Sequence, residues 1–97
     1  MSQIIVHHKN AYNIYGTIAD GAYFESALTL KQLKIYIKKE FGEQGLRNLP
    51  QRLEMAHQKG TSCISSNSLE DTLLCNRAGK NERHMSTKAF IKKFLTL

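Results

Sequence analysis

The stretch from Cys75 to Ser86, CNRAGKNERHMS, sets Arg77, Lys80 and Arg83 around Ala78-Gly79, with His84 beside them. Guanidinium groups grip phosphate or carboxylate through paired hydrogen bonds, and lysine adds a point charge. A glycine among them can let backbone N–H groups converge on an anion. The chemistry on offer is therefore an anion grip, for a phosphate or for an acidic protein surface. Gly79 suits a helix stop equally well, with the cations around it simply solvated. A nucleotide-binding P-loop is excluded, because that motif needs a second glycine five residues before the Gly-Lys pair and a Ser or Thr after it. Here Leu74 and Asn81 hold those places.

Metal chemistry is weakly supported. His57, Cys63, Cys75 and His84 are ligand types, but 5, 11 and 8 residues separate them in turn. Structural zinc sites bring ligands in close pairs such as C-x₂-C. The adjacent His7 and His8 would point to opposite faces of a strand. Nucleophilic catalysis needs a thiol or hydroxyl next to an oriented base. Cys63 or Cys75 with His57 or His84 are candidates of this kind, and no nucleophile-elbow pattern supports them. No enzyme activity, metal or cofactor is expected.

Two further sets of cations lie at helical spacing. Lys31, Lys34 and Lys38 form a stripe beside the apolar stripe Leu30, Leu33, Ile37 and Phe41. Lys88 and Lys92 lie off the apolar face of the C-terminal segment TKAFIKKFLTL. A terminal amphipathic helix of this kind docks on a core with its lysines outward, or lies on a lipid surface; the core is preferred. Motifs for base readout are missing. No two helices are joined by the short turn of a helix-turn-helix, and the aromatics Tyr12, Tyr15, Tyr23 and Phe24 sit away from the cations. Nucleic acid, if bound, would be held by its phosphates.

These side chains need elements to position them. QIIVHHK and AYNIYGTIA have the β-branched and aromatic composition of strands, with Lys9-Asn10 as the turn between. Gly16 and Gly21 bracket an irregular exit. Thr29 with Gln32 forms a capping box for a first helix, which Gly42 would stop. Asn48 would cap a second helix with Pro50 in its first turn, Leu49, Leu53 and Ala56 inward, and Gly60 at its end. TSCISSNS reads as loop. Asn67 with Glu70 would open a third helix, SLEDTLLCNRA, ending at Gly79. Ser86 would cap a fourth, with Ala89, Phe90, Phe94 and Leu97 on one face. The expected fold is α+β: a short N-terminal hairpin followed by about four short helices in one domain of residues 1–97. Residues 1–27 would be the hairpin region and 28–97 the basic helical region.

Composition narrows the class. With 41% apolar and 23% charged residues, the chain is too apolar for disorder. No apolar run approaches the length of a membrane span, and the N-terminus lacks the pattern of a secretory signal. Two cysteines without an export signal read as reduced thiols, which predicts a cytoplasmic protein. The chain holds 14 Lys and Arg against 8 Asp and Glu. Residues 1–28 contain only Lys9 against Asp20 and Glu25, so the excess lies in the remainder. Such a balance favours a polyanionic or acidic partner.

The expected function is a small non-enzymatic protein-interaction module, of the kind phages and mobile elements encode as accessory proteins or inhibitors. It would dock a basic face on an acidic partner, and Arg77, Lys80, Arg83, Lys31, Lys34, Lys38, Lys88 and Lys92 are the candidate contacts. The alternative is a basic regulatory protein that binds nucleic acid through phosphates. The hairpin edge could also pair with a second copy of the chain.

Overall fold

The computed structural model describes residues 3–74 and 76–97, and of Glu82 the backbone only. Strands β1 (Gln3–His8) and β2 (Ala11–Gly16) form the hairpin, with Lys9 in its turn at φ 54°. A third strand, β3 (Gly21–Ala22), adds to β2, so the exit expected to be irregular continues the sheet in the order β1-β2-β3. All pairs are antiparallel, with Ile5 opposite Ile14 and His7 opposite Tyr12.

Side-chain alternation divides the sheet into two faces, and both are covered. One face carries Ile5, Tyr12 and Ile14. Helix α1 (Leu30–Lys59) packs on it through Leu33, Ile37, Leu49 and Ala56. The other face carries Ile4, Val6, Ala11 and Tyr15. Helices α2 (Leu69–Thr72) and α3 (Thr87–Phe94) cover it through Leu69, Leu73, Phe90 and Phe94, with Leu95 beside them. The architecture is thus a helix–sheet–helix sandwich, α+β as expected. The count of about four short helices is corrected to three among the described residues, one of them 30 residues long.

α1 runs as two helical segments across a kink at Gly42 (φ 65°, ψ −153°), and the second segment starts directly after the kink. Asn48 is therefore no cap, and Pro50 lies inside the helix, where it removes one i→i−4 bond. The Thr29 capping box forms: Thr29 Oγ1 accepts from the Gln32 N–H at 3.2 Å, and Gln32 Oε1 accepts from the Thr29 N–H at 2.9 Å. Gly60 ends α1 at φ 83°, and a Cβ there would lie 3.0 Å from Leu69 Cβ.

The third expected helix shrinks to α2, one turn long. Its cap is Ser68 rather than Asn67: Ser68 Oγ accepts from the Asp71 N–H, and Asp71 Oδ2 accepts from the Asn67 N–H. It stops because the Asn76 side chain takes the Leu73 carbonyl at 2.6 Å, the side-chain competition that shortens helices near Asn. Gly79 is extended (φ −77°, ψ 174°) and ends no helix; it precedes a 3₁₀ turn at Lys80–Glu82. Cys75, placed by the sequence on this helix, lies outside the described residues. Ser86 caps α3 as expected, through its Oγ and the Ala89 N–H. The inward face differs, because the chain turns in at Leu95. Leu95 is buried in place of Leu97, and Ala89 is exposed.

The outer edge of β1 is filled by the chain itself. Ser62 N–H donates to the Ile5 carbonyl, His7 N–H to the Gly60 carbonyl, and Ser62 Oγ accepts from the Ile5 N–H, each at 2.9 Å. A second copy could add to this edge only by displacing residues 60–62. No helix is long and apolar enough to cross a membrane, among the described residues.

Candidate functional site

The cations of the stretch from Arg77 to Arg83 sit on a loop whose shape one side chain imposes. Asn76 is buried, 2% exposed. Its Nδ2 donates to the carbonyls of Leu73 (2.6 Å) and Met85 (2.7 Å). Its Oδ1 accepts from the N–H groups of Ala78 (3.2 Å) and Met85 (2.9 Å). The two ends of the loop are thereby clamped together, and all the bonding capacity of the amide is used. Within the clamp, Gly79 N–H donates to the Arg83 carbonyl at 2.9 Å, and Asn81 takes the left-handed conformation at φ 59°. Arg77 N–H donates to the Asp20 carbonyl at 2.6 Å, which ties the loop to the β2–β3 turn.

Arg77, Lys80 and Arg83 are all exposed on this fixed backbone, with His84 next to them. Lys88 and Lys92 are exposed on the outer side of α3, opposite the buried Phe90 and Phe94. Beside the loop, Leu74 is 64% exposed. These five cations share the layer that covers the Ile4 and Val6 face of the sheet.

Lys31, Lys34 and Lys38 do not join them. They are exposed on α1, whose Leu33 and Ile37 press on the opposite face of the sheet. The eight candidate residues therefore fall into two groups on the two outer layers, with the sheet between.

The histidines and cysteines are dispersed. His57, at the end of α1, meets His7 and Tyr12: its Nε2 lies 2.6 Å from the Tyr12 hydroxyl, and its ring centroid is 4.8 Å from that of His7. Burial, and then the neighbouring His57, hold the His7 pKa below its ordinary value; burial raises that of Tyr12. Cys63 lies on the 61–66 loop, 3.3 Å from Ser65 Oγ. Hydrogen bonds from Ser65 and then Ser66 lower its thiol pKa. Lys59 Nζ fixes that loop by donating to the carbonyls of Cys63 (2.8 Å) and Ser66 (2.5 Å). His84 is exposed beside α3. Among the described residues no three His, Cys, Asp or Glu side chains gather as a metal site would need.

Two positions carry more than their sequence context suggested. One is Asn76, whose partners lie up to nine residues away. The other is Arg52, half-buried, with one Nη donating to the Gln3 carbonyl at 3.0 Å. A readable signal marked Arg52: it lies three residues after Leu49 and four before Ala56, on the buried face of the helix.

Compared with known proteins, the chain matches no family model, no curated protein and no solved structure.

Proposed function

We propose that this chain is a small, non-enzymatic protein-interaction module that docks the Arg77–Arg83 loop on an acidic surface of a partner protein. The observation that carries this reading is the Asn76 clamp, which holds three exposed cations on a fixed backbone. A loop already ordered loses little conformational entropy on binding. Arg77 and Arg83 can each meet a carboxylate with two parallel hydrogen bonds. Leu74 supplies an apolar contact beside them, as protein interfaces require and phosphate backbones do not. Lys88 and Lys92 extend the positive field and speed encounter with an acidic face. The setting fits a reducing cytoplasm, where Cys63 stays a free thiol. An inhibitor or adaptor among the accessory proteins of phages and mobile elements would have this form.

A second reading keeps one observation of its own. The exposed row Lys31, Lys34 and Lys38 on α1 suits a phosphate backbone, bound without base readout. Nuclease treatment separates the two. Tagged protein should retain one dominant protein from a cell extract after nuclease digestion, and the variant Arg77→Ala/Lys80→Ala/Arg83→Ala should lose it. Loss of every partner on digestion, with salt-sensitive gel shifts that weaken when the α1 lysines are replaced, would establish the nucleic-acid reading instead.

A further inference from the structure

Among the described residues, Arg52 has no counter-ion. It lies on the buried side of α1, between Leu49, 3% exposed, and Ala56, fully buried. Burial lowers its pKa, and no carboxylate acts to restore it. Among the described residues no acidic side chain pairs with it; its one hydrogen bond is to the Gln3 carbonyl at 3.0 Å. Taking a cation part-way out of water costs free energy unless an anion or a full set of acceptors replaces the lost hydration. A guanidinium has five N–H donors, and one acceptor does not satisfy them.

Arg52 is one wall of a cleft of about 380 Å³, bounded also by Gln3, Ile4, Ser62, Cys63, Ile64 and Ser65. That volume falls at the lower end of the roughly 300–1,000 Å³ range of small-molecule sites. The walls are built. Ser62 is held to Ile5 by two hydrogen bonds, Cys63 N–H donates to Thr61 Oγ1, and Lys59 pins the far side of the loop. Ser62 Oγ accepts from the Ile5 N–H, so its own proton is available to a guest. A cation, two serine hydroxyls and two isoleucines around one small cleft suit a compact molecule with an anionic end.

We propose that the Arg52 cleft binds a small carboxylate- or phosphate-bearing molecule, with the guanidinium as principal donor and the Ser62 hydroxyl as second. The site stands on α1, β1 and the 61–66 loop, and is independent of the loop around Arg77. Cys63 is the one other titratable side chain lining the cleft, with the Lys59 ammonium bound to its carbonyl. Its ionisation would oppose the anion, so binding weakens as pH rises through the thiol's titration.

The test is an NMR titration of isotope-labelled protein with inorganic phosphate and, separately, with citrate, at ionic strength held constant with sodium chloride. Saturable shifts at the Arg52 Nε–H and at the amides of Gln3, Ser62 and Ser65 are expected with at least one of them. The anion that saturates assigns the class. Arg52→Met, which keeps the apolar stem between Leu49 and Ala56, should weaken that binding at least tenfold; Arg52→Lys should weaken it less. The wild-type titration decides even if the methionine variant does not fold. Shifts that stay linear, or that appear only around Arg77, Lys80 and Arg83, would overturn the proposal, as would a folded Arg52→Met variant that binds like wild type.

Discussion

Two buried asparagines organise this molecule. Asn13 is fully buried in the sheet; its Nδ2 donates to the carbonyls of Phe24 and Phe94, and its Oδ1 accepts from the N–H groups of Ile14 and Phe24. Asn76 plays the same part for the cationic loop. Truncation would leave the Met85 carbonyl and the N–H groups of Ala78 and Met85 without their partner, so Asn76→Ala should lower stability by about 3 kcal/mol, read from the urea midpoint. It should also raise amide exchange from Ala78 to Met85. A variant with wild-type stability and exchange would remove the clamp from the account. His7 gives a second expectation. Its folded pKa lies below the unfolded value of 6.5, so the unfolded chain takes up a proton first. Its contribution to stability is complete above that unfolded value and is lost as pH falls through the folded one. The groups that face it are His57 on α1 and Tyr12 on β2, and the charge of the adjacent His8 adds the smallest effect. Urea midpoints measured across this window should therefore fall on acidification, and His7→Phe should flatten the fall. The caps at Thr29 and Ser86 were legible in the sequence because their partners lie within three residues. The asparagine hubs were not, because Asn13 finds a partner 81 positions away.

Among the elements, α1 holds the main departure from local rules. Gly42 was legible as a break, and the break is real: its φ of 65° with ψ of −153° lies in territory that glycine alone occupies readily. What the sequence did not display is that helix resumes directly after Gly42, without the loop expected before Asn48. The resumption rests on tertiary packing, with Leu49 and Ala56 continuing onto the sheet face already held by Leu33 and Ile37. Gly45 supports it by close approach, since a Cβ there would stand 2.5 Å from Phe41 Cβ. Gly42→Ala should cost about 2 kcal/mol through backbone strain alone, because a Cβ at that position meets nothing within 4 Å. Thermal or urea denaturation checks it, and an unchanged midpoint would show that the kink relaxes freely. α2 failed to reach its expected length for a local reason that composition hides. Asn76 offered the Leu73 carbonyl a partner outside the helix. The covered edge of β1 was equally invisible, because residues 60–62 read as loop and become edge partners only after α1 has carried them back to the hairpin.

On the scale of the whole molecule, the sandwich decides what the charge can do. The α+β class was legible, and so in principle was the covering of both sheet faces. Ile4, Ile5 and Val6 are consecutive apolar residues, which a one-sided sheet would not require. The division of cations between two outer layers was not legible, because helix spacing says nothing of which sheet face a helix covers. That division separates two readings a single basic face would have merged. Lys31→Ala/Lys34→Ala/Lys38→Ala should leave capture of a protein partner within about twofold of wild type, since surface charges on the far layer are screened beyond roughly 10 Å.

The most direct measurement is therefore a side-by-side capture from nuclease-treated extract by wild type, the triple loop variant at Arg77, Lys80 and Arg83, and the triple α1 variant. All three should first be shown to unfold at similar urea concentrations. The account predicts one dominant partner retained by wild type and the α1 variant and lost by the loop variant. Retention by the loop variant, or loss by the α1 variant alone, would contradict it.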